Sequence, residues 1–248
     1  MHRKPVQFNT PLKALEKLAE DGLKAELELL DITDKTSRQN FVEAIKSKYG
    51  EVHCLVNNAG FAFKQAATEP IDVQAKITCD INYFGTRDLT KEMLSLFRPG
   101  SRIVNVASLA GSRALEQMNA ERRHRLMSKS ATEEDINKVV EEFIAACEKQ
   151  ELAGWPSLTY GLAKAALIAL TAAWARKADK CPEVSKGEGM IITSCCPGWC
   201  KTDLGGWEAP PLTAADGANQ VGSLALGATK EHHGKFISEG KIIDLRED

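Results

Sequence analysis

No run of apolar residues in this 248-residue chain approaches the ~20 needed to cross a bilayer. Its first residues, Met1-His2-Arg3-Lys4-Pro5, lack the apolar core of a signal peptide, so the expected address is the cytosol, with no membrane partner. Charge of one sign is not in excess either. A formal net charge of −2 gives no electrostatic footprint for nucleic acid or an anionic surface, which leaves small molecules as the expected partners. Linker-like stretches, internal repeats and low-complexity tracts are missing, and one domain over residues 1–248 is expected. The seven cysteines, an odd number, form no Cys-x-x-Cys pair and read as reduced thiols. Cys195, Cys196 and Cys200 flank Pro197-Gly198 with no histidine nearby in sequence, so no metal site is expected there.

What is present alternates between two periodicities. Residues 12–23 carry Leu12, Leu15, Leu18 and Ala19 at helical spacing and stop at Gly22, which predicts a surface helix. Residues 25–32 alternate and then turn continuously apolar, as a strand entering a buried parallel sheet would, and residues 33–49 follow as a helix. Residues 52–56 form a short apolar strand closed by Asn57-Asn58-Ala59-Gly60, small and polar residues that leave the backbone open to a ligand at the edge where open α/β sheets bind. A long helix is predicted over 71–97, ended by Pro99-Gly100, and a buried strand over 102–107 delivers Ser108 at its tip. Residues 190–196 give another strand broken by Pro197-Gly198-Trp199, and residues 235–245 a last one around Phe236 and Ile237. Strands alternating with helices define an α/β chain with a doubly wound, Rossmann-like parallel sheet.

Between Ser108 and Tyr160 lies more chain than one strand-to-helix connection needs. Residues 116–130 are charged, and residues 132–149 open with a capping pattern and repeat Ile136, Val139, Val140, Phe143 and Ile144 at helical spacing. A helical insertion over about 112–154 is the reading. Beyond it, Tyr160-Gly161-Leu162-Ala163-Lys164 opens an alanine-rich helix on which Tyr160 and Lys164, four positions apart, share a face. An ammonium beside a phenol favours phenolate and gives a proton donor and acceptor usable near neutrality. Taken alone, the pair reads more readily as two helical neighbours without a task.

Asn57-Asn58-Ala59-Gly60, a mid-helix Asn82, Ser108 after a strand, Tyr160-x-x-x-Lys164 and Pro197-Gly198 occur in one order at compatible spacings. With them the chain resembles the short-chain dehydrogenase/reductase family. Within it, Asn82-Tyr83-Phe84-Gly85-Thr86-Arg87-Asp88, Gly154-Trp155-Pro156-Ser157, Cys195-Cys196-Pro197-Gly198-Trp199 and the insertion are similar to the monomeric NADPH-dependent carbonyl reductases. The resemblance implies that Tyr160 protonates a carbonyl oxygen, that Ser108 positions it, and that Lys164 lowers the tyrosine pKa and binds the nicotinamide ribose. Asn82 would anchor a water in the proton relay. It further implies NADPH against Asp31, Ile32, Asn58, Ala59, Gly60, Pro197, Gly198, Cys200, Lys201 and Thr202. Trp199 would wall the substrate pocket, with Phe63, Lys64, Gln65 and Gln74 at positions that hold glutathione conjugates. The insertion would cover the face through which relatives pair, which implies a monomer.

One element of the family pattern is missing. The first fifty residues contain only Gly22 and Gly50, with no Thr-Gly-x-x-x-Gly-x-Gly turn whose backbone amides would hold the pyrophosphate. Arg3 or Lys4 would be what remains of a group for the 2′-phosphate. The expectation is a domain truncated by about one strand, helix and strand, with an unpaired apolar edge on the 52–56 strand and a detached 25–32 strand. Two functions follow: reduction of ketones, aldehydes or quinones with NADPH, or a non-catalytic chain that acts through protein binding.

Overall fold

A computed structural model describes residues 9–64, 66–181 and 189–245. Helix α1 (Asn9–Glu20) and helix α2 (Lys35–Tyr49) precede the first strand, β1 (Val52–Asn57). Helix α3 (Ile71–Cys79) runs into a π-helical turn (Asp80–Gly85) and then α4 (Thr86–Glu92), before β2 (Phe97–Val106). Helices α5 (Leu109–Gln117), α6 (Ala120–Met127), α7 (Glu133–Lys149) and α8 (Thr159–Asp179) come next, then β3 (Ile191–Cys196). Helix α9 (Ala214–Gly227) and a hairpin of β4 (Phe236–Ser238) and β5 (Lys241–Ile243) finish the chain.

The strands form one sheet in the order β1-β2-β3-β4-β5, parallel throughout except for the last, antiparallel pair. Side chains alternate across it as the pleat demands. Ile103, Ile192 and Cys196 join the large core under α8, while Val104, Ile191 and Cys195 pack with Leu224 and Ala228 at α9 on the opposite face. Helix α8 is buried on nearly every side because α3, α5, α7 and the sheet all press on it. An apolar surface all round is what such a position requires. Each fully buried leucine, such as Leu162, Leu167 and Leu170, contributes ~1.5–3 kcal/mol. The alanines between them keep the helix slim enough to fit.

The insertion folds as helices. Thr132 and Asp135 form a complete capping box at the start of α7, and the charged stretch supplies α6, capped by Asn119. Together α6 and α7 lie on α3 and α8.

Three expectations need correction. Residues 25–32 are not a strand: the segment is irregular and largely exposed, with Leu27 and Leu29 open to solvent and only Ile32 buried. Among the described residues β1 has no partner on its outer edge, and a segment with no ladder to join gains nothing from extending. The single helix over 71–97 is really α3, a π turn and α4, which ends at Glu92. Finally, β2 begins at Phe97, because Ser101 takes the Arg98 amide and donates its hydroxyl to the Val52 carbonyl, absorbing Pro99-Gly100 as an irregularity at the start of the strand.

Candidate active site

Ser108 and Tyr160 meet because α5 and α8 approach backbone to backbone. A Cβ on Gly111 would lie 2.8 Å from the amide nitrogen of Ala165 and 2.9 Å from the carbonyl carbon of Lys164, so only glycine permits this crossing. Ser108 caps α5, its hydroxyl oxygen accepting from the Ala110 amide at 3.1 Å, and the same hydroxyl lies close enough to the Tyr160 phenol to lower its pKa. Lys164, one turn on, is 3 % exposed and donates to the carbonyl of Val106 at 2.7 Å. Its Nζ stands 5.5 Å from the centre of the Tyr160 ring.

The electrostatics differ from the sequence expectation. Burial pushes the Tyr160 phenol up to about 12, offset in part by the Ser108 hydroxyl. Lys164 does not depress it: its ammonium is spent on the Val106 carbonyl, and burial drives Lys164 itself down to about 8. The Tyr160 phenol is therefore protonated at neutral pH, and Lys164 titrates nearer neutrality than a free lysine.

Asn82 sits in the π turn, fully buried. Its Oδ1 accepts from the Phe61 amide at 3.1 Å, and its Nδ2 donates to the carbonyls of Phe61 at 2.7 Å and Thr78 at 2.9 Å. These bonds draw the end of β1 over the site. A Cβ on Gly60 would lie 2.9 Å from Asn82 Oδ1 and 3.5 Å from Lys164 Nζ, which puts Gly60, Asn82 and Lys164 in one cluster. Asn58, Ala59 and Gly60 themselves are exposed.

The remaining expected residues divide. Ile32 is brought in, its Cγ1 reaching 3.0 Å from where a Cβ on Gly85 would stand. Asp31 is exposed and accepts from the amide and hydroxyl of Thr33. After β3, Pro197 takes hydrogen bonds from Cys200 Sγ and Gln220 Nε2, and Gly198 adopts a positive φ of 88°. The Lys201 amide donates to Leu212, and the Thr202 hydroxyl accepts from the Gly205 amide. Trp199 is 55 % exposed, with its indole nitrogen on the Gly205 carbonyl. Lys64 Nζ donates to the carbonyls of Asp203 and Leu204, joining the 61–64 loop to this one, and Phe63 packs edge-on against Phe61. Gln74 turns back to the Glu69 carbonyl, while Gln65, Arg3 and Lys4 lie outside the described residues.

A buried polar chain beneath the site escaped sequence reasoning. Asn57 Nδ2 donates to Thr90 Oγ1 and Asn105 Oδ1, and Asn105 Nδ2 donates to Thr171 Oγ1, tying β1, β2, α4 and α8 together. The only available signal was an asparagine inside an apolar strand pattern.

A parallel sheet with a Ser108–Tyr160–Lys164–Asn82 cluster at its C-terminal edge is the arrangement of an oxidoreductase of the short-chain type. Residues 6–140 match the family model described as enoyl-(acyl carrier protein) reductase. "Carbonyl reductase [NADPH] 1" of Bos taurus is 36% identical over 236 residues, covering 93% of this chain and 83% of that protein, and the Homo sapiens protein of the same name is 36% identical over 233 residues, covering 92% and 83%. Salutaridine reductase from Papaver somniferum superposes with a TM-score of 0.74 at 26% identity, covering 92% of this chain and 87% of that one. An NADPH-bound carbonyl reductase from chicken fatty liver superposes with a TM-score of 0.65 at 18% identity, covering 97% and 84%, a likeness of fold. The chain belongs to the short-chain dehydrogenase/reductase family of oxidoreductases, with the carbonyl reductases among its relatives.

Proposed function

We propose that this chain reduces carbonyl compounds to alcohols with NADPH, Tyr160 acting as the general acid. The observation that carries the reading is the buried Tyr160 phenol beside Ser108, kept protonated by burial at a pKa of about 12. The residues suit a nicotinamide: exposed backbone at Gly60, where a Cβ would press on Asn82 Oδ1, lies beside the buried Lys164 ammonium. Lys164 and the 197–202 loop would hold the cofactor's nicotinamide half, Asn58, Ala59 and Gly60 its adenine ribose and centre, and Asp31 with Ile32 its adenine. When bound, NADPH supplies the hydride. The Ser108 and Tyr160 hydroxyls orient the carbonyl oxygen, and Tyr160 gives it a proton as negative charge develops there. Lys164, with its pKa near 8, returns the proton to Tyr160 through a water anchored at Asn82.

The substrate class is small ketones, aldehydes and quinones at a mouth bordered by Trp199 and Phe63. Glutathione conjugates belong to the same reading, but Lys64 would first have to release the carbonyls of Asp203 and Leu204, and Gln74 that of Glu69. A monomer belongs to the same reading, supported by α6 and α7 lying over α3 and α8. A cytosolic setting agrees with the free thiols at Cys54, Cys79, Cys147, Cys195, Cys196 and Cys200.

A second reading, protein binding without catalysis, is favoured by the outer edge of β1, which has no partner among the described residues and leaves Val56 37% exposed. One experiment separates the two. NADPH binding and quinone reduction are measured on the chain and on Tyr160→Phe, which should lower kcat by ~10²–10⁴ and leave NADPH binding unchanged. Undiminished turnover in the variant removes Tyr160 from its role. A chain that binds no NADPH leaves the second reading.

A further inference from the structure

The π-helical turn Asp80–Gly85 aims Asn82, and a wide turn inside a helix needs something to hold it open. Its outer side rests on the insertion. Tyr83, the neighbour of Asn82, is fully buried and donates its phenol to Asn137 Oδ1 of α7 at 2.8 Å. Arg87, at the start of α4, donates Nη1 to the same oxygen at 3.0 Å and lies over the Phe84 ring at 4.8 Å. Phe84 in turn meets Tyr83 edge-on at 5.1 Å. One amide oxygen therefore gathers a residue of the turn and one of the helix that follows it.

Helix α7 is a firm reference for that purpose. Its first turn is fixed by the Thr132–Asp135 box, and Glu133 accepts from Lys91 of α4 at 2.7 Å and from the Trp174 indole of α8 at 2.9 Å. The insertion is thus joined both to the element carrying Asn82 and to the helix carrying Tyr160 and Lys164.

We propose that Asn137 is a positioning residue for Asn82, setting the π turn from the inserted helix without touching the reacting groups. Without its oxygen the buried Tyr83 hydroxyl and the Arg87 guanidinium lose a shared acceptor, and the turn relaxes toward ordinary helix. Asn82 would then rotate off the Phe61 backbone and away from Gly60 and Lys164. The consequence for turnover rests on the carbonyl-reductase reading; the geometry does not.

The test is amide hydrogen exchange by NMR on the full chain, because the Phe61 N–H is bonded to Asn82 Oδ1 and reports its position. Asn137→Ala should speed exchange at Phe61 by about tenfold while the β3 amides keep their protection. Tyr83→Phe, which removes only the donor, should do the same. Asn137→Asp, which keeps an acceptor, should restore protection, and Arg125→Ala, which cuts the α6–α7 ion pair with Glu142, should leave Phe61 untouched. In NADPH-dependent reduction of menadione, Asn137→Ala should lower kcat with KM unchanged, and Asn137→Asp should recover it. Unchanged exchange at Phe61, a matching loss across β3, or the same effect from Arg125→Ala overturns the proposal. Should the unaltered chain reduce no quinone, the reductase reading fails, and the exchange measurements still decide the role of Asn137.

Discussion

Lys164 Nζ donates to the carbonyl of Val106 at 2.7 Å, so the buried cation of the site is held by the last residue of β2, two positions before Ser108. The strand tip that delivers the serine also fixes the lysine.

Burial lowers the pKa of Lys164 from 10.5 to about 8. Between those values the unfolded chain binds the extra proton, so this group's contribution to stability rises with pH across that window and stays at its minimum below about 8. Urea unfolding across pH 8 to 10.5 should show the slope, and Lys164→Met should remove it. On the proposed mechanism, reduction should fall as pH rises through about 8, where Lys164 loses the proton it would return to Tyr160, which is itself protonated up to about 12.

His233 accepts from the Ile192 amide and bonds the Ala175 carbonyl, bridging β3 and α8. Burial holds its pKa below the ordinary 6.5, with Lys230 acting in the same sense and Asp179 opposing it. Its contribution is complete above pH 6.5 and is lost as pH falls through the lowered value. Thermal melts from neutral to mildly acid pH should record a drop in Tm that is smaller in His233→Asn.

Gly60→Ala would place a methyl 2.9 Å from Asn82 Oδ1. Overpacking of this kind costs ~1–3 kcal/mol, and here the displaced atom belongs to the site. The expected result is a lower Tm with a larger fall in kcat than stability explains. Equal activity in the variant would show that the asparagine has room to move.

Thr171→Val removes the acceptor of Asn105 Nδ2 in a chain of fully buried groups. An unsatisfied buried donor costs ~1–3 kcal/mol. Denaturant titration should find that loss, while Asn105→Ala in the Thr171→Val background should add less than its effect alone, since the two share one bond.

Much of this was legible because it is local or periodic. The capping box at Thr132 and Asp135, the apolar strands at 52–56 and 190–196, and the asparagine, serine, tyrosine and lysine of the site were visible as residue types at fixed spacings. The segment 25–32 was misread for the same reason. Its pattern suits a strand, but a strand exists only with a partner, and no strand among the described residues pairs with it.

The amino-acid sequence by itself determined the α/β class, the helices between Ser108 and Tyr160 and which side chains are candidates for the chemistry, since pattern and residue type depend on neighbours along the chain. Only the tertiary structure decided that Lys164 answers to a backbone carbonyl, that Tyr160 is raised instead of lowered, and that Asn82 stands in a π turn braced by Asn137. Those outcomes turn on burial and on backbone groups far apart in sequence, and neither is written in the identity of the residues that feel them.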